Sequence, residues 1–199
     1  MILLSSAAQN IFWLGRYLSR IQQVCSLLPF KEDNDAIEYA HVFCLPAWNA
    51  PSLNGLFLDP EQPFSISSQF GSIRDNIQQL RAVLSSYAYI ELNKLTKIAD
   101  DKNLGVCQVV NECSEVLEGE VEQVFLFYAL GRAVELLDNQ CRLEKETDEH
   151  IQEITKILTL LKSYGWDTGE TSWDKLVEDV SMTTLYQFCT EVTAMFEEC

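Results

Sequence analysis

An all-α fold, an antiparallel bundle of about six or seven helices with one helix duplicated, is predicted by three observations. Apolar residues recur at three-and-four spacing through most of the 199-residue chain. Alternating strand patterns are nearly absent. The peptide Leu14-Gly15-Arg16 returns as Leu130-Gly131-Arg132, and at that fixed offset Phe12 falls on Tyr128, Leu18 on Val134, Cys25 on Cys141 and Leu27 on Leu143. Such a repeat marks a duplicated helical unit.

The first helix is expected from Ser6 to Leu28, with Ile11, Leu14, Leu18, Ile21 and Cys25 on one face. Ser5 or Ser6 can cap its start and Pro29 stops it. A weaker helix is expected over Asn34–Leu45. Residues 46–63 hold four of the five prolines and Asn54-Gly55, and read as a long loop with a short strand-like piece at Leu56-Phe57-Leu58. Ser65–Ile98 is helical again through Ile66, Phe70, Ile73, Ile77, Leu80 and Leu84. Asp100–Asn103 reads as a turn, Leu104–Leu117 as a helix and Gly119 as a break. Val121–Arg142 is the second copy of the opening helix. Ile151–Tyr164 follows, then a turn at Gly165–Gly169, then a last helix from about Ser172. The whole, 1–199, reads as a single domain, with the 46–63 loop between the N-terminal helices and the main bundle.

Thirty acids against 14 lysines and arginines leave a formal charge of −16. That charge repels nucleic acid and anionic membrane, so neither is expected as a partner. The apolar start Met1-Ile2-Leu3-Leu4 is too short for a signal-peptide core, and no stretch reaches a membrane-spanning length. The seven cysteines form no C-x-x-C pair and read as reduced, mostly buried thiols in a cytoplasmic protein. The tryptophans Trp13, Trp48, Trp166 and Trp173 read as core or helix-corner packing.

A glycine inside a helix costs roughly 1 kcal/mol against alanine, so Gly15 and Gly131 are expected where another backbone comes close. All six arginines lie in three predicted helices: Arg16 and Arg20, Arg74 and Arg81, Arg132 and Arg142. Arginine suits bidentate contact with carboxylate or phosphate. Arg16, Arg20, Arg74, Arg81, Arg132 and Glu135 are therefore candidate ligands for an anionic, peptide-like group. Internal ion pairs with Asp75, Glu135 or Asp138 are the alternative, fixing helix register without binding anything.

No cofactor or metal is expected. Glu38-Tyr39-Ala40-His41 has the Glu-x-x-His spacing of a di-iron bundle, with Cys44 a turn on, but Thr147 precedes His150 where a second glutamate is needed. A P-loop, a nucleophile elbow and a dinucleotide fingerprint are missing, and the catalytic residues remain unassigned.

At its motifs the chain resembles the alpha-E domain, a bacterial all-helical family named for a Glu-Arg signature. The opening Ala8-x-Asn10-Ile11-Phe12-Trp13-Leu14-Gly15-Arg16-Tyr17-Leu18-Ser19-Arg20 is similar to A-E-N-L-Y-W-L-G-R-Y-L-E-R. Asp59–Ile66 is similar to D-x-x-N-P-S-S-I, and Arg74-Asp75-Asn76 with Arg81, Ser85, Leu92 and Asn93 to a third block. Leu130-Gly131-Arg132-Ala133-Val134-Glu135, with Asp138, is similar to the returning L-G-R-x-L-E-R-A-D. The signature glutamate of the first copy is Ser19, and the signature arginine of the second is Leu136. The resemblance implies a non-catalytic helical module working beside ATP-grasp or transglutaminase-like proteins in peptide-making systems. The alternative is a ligand-binding or enzymatic domain with an Arg/Glu site.

Overall fold

Ten α-helices make up the described part of the computed structural model, which comprises residues 3–98, 105–166 and 170–196. The turn expected at Asp100–Asn103, residues 167–169 of the next expected turn, and Cys199 lie outside the described residues.

Helix α1, Ser5–Leu27, is the axis of the molecule. Ala8, Ile11, Leu14, Leu18 and Ile21 are its buried stripe. Leu28 ends it, one residue before Pro29. Its N-cap is Leu4, with no side-chain hydrogen bond, so neither Ser5 nor Ser6 caps it. Its sequence copy is α7, Glu122–Arg142, buried along Val124, Phe127, Leu130, Val134 and Leu137.

The two copies pack directly on each other. A Cβ on Gly15 would lie 2.3 Å from the carbonyl oxygen of Tyr128, and one on Gly131 only 2.0 Å from that of Phe12. No side chain fits at either place, so backbone rests on backbone. Phe12 and Tyr128 are themselves the offset-matched pair, which makes the contact reciprocal, like a two-fold within one chain. Phe12 meets Gly131, and one to two turns later Arg16 and Arg20 meet Glu135. Contacts thus advance the same way on both helices, and this pair runs parallel within the bundle.

Helices α4 (Ile66–Gln79) and α6 (Val106–Glu118) flank α1, and α8 (Asp148–Ser163) flanks α7. Helix α5 (Ser86–Ile98) lies on α4 and α6. Helices α9 (Glu170–Glu178) and α10 (Met182–Ala194) pair, with α10 against α7. Near the end of α1, α2 (Asp33–Val42) and α3 (Ala50–Leu58) close a separate small core of Val24, Ala36, Ala40, Ala50, Leu53 and Phe57.

The helices outnumber the expected six or seven for local reasons. The predicted 46–63 loop contains α3, and the strand-like piece expected at Leu56–Leu58 is its last turn. Asn49 and Ser52 cap each other there, and Pro51 sits in the first turn, where its missing donor costs nothing. The Ser65–Ile98 pattern breaks at residues 80–85. Leu80 and Leu84 stay buried in that turn, so the apolar spacing runs through it. The last helix breaks before Ser181, which caps α10 through Thr184; Ser172 is buried inside α9, two residues past its start.

Two further expectations are corrected. Trp48 is 72% exposed, because it lies on the outside of the turn before α3 rather than in a core. Cys25 and Cys107 are joined as a disulfide, with Cα atoms 5.8 Å apart, so these two are not reduced thiols. They are 82 residues apart, and only the packing of α6 on α1 brings them together. Among the described residues no helix is long and apolar enough to cross a membrane.

Candidate functional site

Glu135 lies in the middle of α7, only 5% exposed, and receives two arginines from α1. Arg16 Nε donates to Oε2 at 2.8 Å. Arg20 Nε donates to Oε1 at 2.6 Å, and its Nη2 to Oε2 at 2.9 Å. Arg16 and Arg20 are four apart on one helical face, so both reach the same carboxylate. Arg16 also stacks over Trp13 and Arg20 over Tyr17, with ring distances of 5.3 and 5.9 Å. Burial alone would raise the Glu135 carboxyl, but the charges and hydrogen bonds of Arg20 and Arg16 hold it below the usual carboxylate range. Burial likewise opposes the charge on Arg20, and Glu135 overrides it and raises the guanidinium.

One turn further along α7, Asp138 accepts from Arg142 Nε at 2.9 Å. Arg142 also bonds the Tyr186 hydroxyl of α10 and lies 5.8 Å over the Phe43 ring.

Between these charges and the α2–α3 core is a cavity of about 390 Å³. Its floor comes from α1, α4 and α7: Tyr17, Arg20, Gln69, Ser72, Glu135 and Asp138 among others. Its roof is apolar, with Tyr39, Phe43, Leu45 and Phe57 from the cap, and Phe64 from the segment before α4. Tyr39 stacks on Phe43 at 4.4 Å. Burial, reinforced by the nearby Glu135 charge, pushes its hydroxyl up to about 12. An apolar roof over a polar, charged floor is the usual build of a small-ligand site.

The predicted site residues part company in space. Arg16, Arg20 and Glu135 come together. Arg74 Nη1 donates to the Thr96 carbonyl at 3.1 Å, between α4 and α5. Arg81 is exposed in the turn past the end of α4. Arg132 faces away from the cleft and pairs with Glu153 at 3.2 Å and Glu118 at 3.9 Å. Its divergence from Arg16 has a plain cause. Across the helix pair Arg16 meets Glu135, whereas the matching position opposite Arg132 is Ser19, which offers no charge.

Sequence reasoning did not pick out Gln69, Ser72 or the cap aromatics. Tyr39 on α2 and Phe43 at its C-cap, four apart, were the one available signal, and they are as readily read as core.

The family model of Alpha-E, a predicted alpha-helical domain with a conserved ER motif, matches residues 3–191. No curated protein and no solved structure matches. The match runs from the start of α1 into α10, and the cleft lies beside the contact between the remaining arginine and glutamate of the ER pattern. The chain belongs to the Alpha-E family.

Proposed function

We propose that this Alpha-E chain is a non-catalytic helical recognition module whose ligand site is the cleft under the α2–α3 cap. One observation carries the reading: the cavity lies between two separate cores, directly over the Arg20–Glu135 contact. The electrostatics favour binding over acid–base work. Glu135 is held ionised, Arg20 is held charged, and Tyr39 stays neutral to about 12, so none of the three exchanges a proton near neutral pH. The family resemblance supports a role as accessory to an ATP-grasp-type or transglutaminase-like partner, with a peptide-like ligand.

Incubating the purified chain with a bacterial small-molecule extract, then identifying retained compounds by mass spectrometry, tests the ligand site. Retention is expected for the wild type and not for Ser72→Trp, which fills the cavity. Equal retention by both folded proteins would sink the cleft as the site. Low-salt co-purification from the native cell tests the accessory role; recovery of no ligase-type partner counts against it.

A further inference from the structure

The cleft floor carries charges of both signs: Arg20 and Arg142 against Glu135 and Asp138, with Arg16 beneath. Their mutual pairing leaves particular atoms unengaged. Asp138 uses Oδ2 for Arg142, and its Oδ1 has no partner among the described residues. Arg20 commits Nε and Nη2 to Glu135 and leaves Nη1, while Arg142 commits Nε and Nη2 and also leaves Nη1.

Gln69 closes the α4 wall of the cleft. It is more than nine-tenths buried, at 8% exposure, and lines the cleft. Its Nε2 donates to the Phe64 carbonyl at 3.2 Å, which fixes the amide, because the opposite orientation would set two oxygens against each other. Its Oε1 is then a buried acceptor with no donor among the described residues. That oxygen is sealed from the cleft itself, so it belongs to the packing of α4 and not to the ligand's contacts.

We infer that the cleft takes a zwitterion, an amino acid or short peptide whose ammonium meets Asp138 while its carboxylate meets the free donors of Arg20 and Arg142. This rests on the cleft being the ligand site. An apolar side chain of that ligand lies against Tyr39, Phe43 and Phe57. A simple anion would set its charge beside Asp138, and a simple cation beside Arg20 and Arg142, so neither satisfies both sets. The cavity of about 390 Å³ is in the range of small-ligand pockets.

Calorimetric titration of the full chain with L-leucyl-L-leucine, its N-acetyl derivative and its C-terminal amide tests this at neutral pH and low salt. The free dipeptide is expected to bind about tenfold or more tightly than either blocked form. Asp138→Asn, checked for folding by circular dichroism, is expected to weaken the dipeptide and remove the discrimination against the N-acetyl form. Equal binding of the N-acetyl form, or no binding of the dipeptide at millimolar concentration, overturns the zwitterion. In that case retention of another compound by the wild type, but not by Ser72→Trp, leaves the cleft standing as the site. Unchanged dipeptide binding in Ser72→Trp overturns both.

Discussion

Arg20 and Glu135 are 115 residues apart in the chain and meet through two hydrogen bonds, of 2.6 and 2.9 Å. Each is what remains of an incomplete copy of the Glu-Arg signature: the first copy has Ser19 for the glutamate, the second has Leu136 for the arginine. They reach each other because α1 and α7 lie parallel and in backbone contact at Gly15 and Gly131. One carboxylate, Glu135, holds two arginines across the helices where the reciprocal geometry has room for a second such cluster.

The glycines set that spacing. Gly131→Ala and Gly15→Ala each drive a methyl into a carbonyl oxygen of the facing helix, which only backbone movement relieves. Each is expected to cost about 2–3 kcal/mol, the upper part of the overpacking range, despite alanine's better helix propensity. Gly71→Ala in α4 meets nothing within 4 Å and is the control. It is expected to gain up to about 1 kcal/mol. Urea unfolding checks all three, and a stable Gly131→Ala would refute the close-contact account.

Removing Glu135 strands the arginines. Arg16 keeps only 12% of its side chain exposed, so Glu135→Ala is expected to cost about 3 kcal/mol. Arg20→Ala leaves Arg16 on the carboxylate and removes a side chain 39% exposed, so its cost is smaller, about 1 kcal/mol. The pH dependence has a definite sign. A carboxyl held below its unfolded value contributes stability above about pH 4.3 and loses it as pH falls through the folded value. The stability gap between wild type and Glu135→Gln should therefore be level near neutral pH and close in acid. A gap that widens in acid would contradict it.

Ser19 is where the second ion pair is missing. Ser19→Glu buries a carboxylate at a position only 7% exposed, directly in the reach the reciprocal geometry assigns to Arg132. The expected outcome is that Arg132 leaves Glu153 and takes the new partner. In a double-mutant cycle Ser19→Glu and Arg132→Ala should couple by about 1–2 kcal/mol, Ser19→Glu being costlier without Arg132. Additive effects would show that the reciprocity ends at the glycines.

The Cys25–Cys107 disulfide ties α1 to α6 across 82 residues. Closing a loop of that length restricts the unfolded chain, so Cys25→Ser is expected to cost about 2–4 kcal/mol under oxidising conditions. The same substitution should change little once the wild type is reduced. Thermal unfolding with and without reductant measures both, and equal melting of oxidised wild type and variant would exclude the bond.

The long helices, the duplicated unit and the close approach at Gly15 and Gly131 were legible in the chain, because helical periodicity and a glycine in a helix interior are local signals; α3 was hidden by the prolines around it and the break at residues 80–85 by apolar spacing that runs through it. The pairing of Arg20 with Glu135 was half legible. The repeat identified them as survivors, but the parallel seating that joins them is a property of two helices together. The cleft was not legible at all. Gln69 and Ser72 look like ordinary polar positions on α4, and Tyr39 and Phe43 like core.

What the sequence by itself determined is that the chain is helical, which faces of its long helices are apolar and which two helices are copies, since each follows from spacing along one segment. The tertiary structure alone decided that Arg16 turns inward while its copy Arg132 turns to Glu153, that Cys25 meets Cys107, and that α2 and α3 roof a cavity over Glu135. Those outcomes depend on what lies across a gap from a side chain, and a charge or an orphaned acceptor is satisfied only by a neighbour that chain order does not reveal.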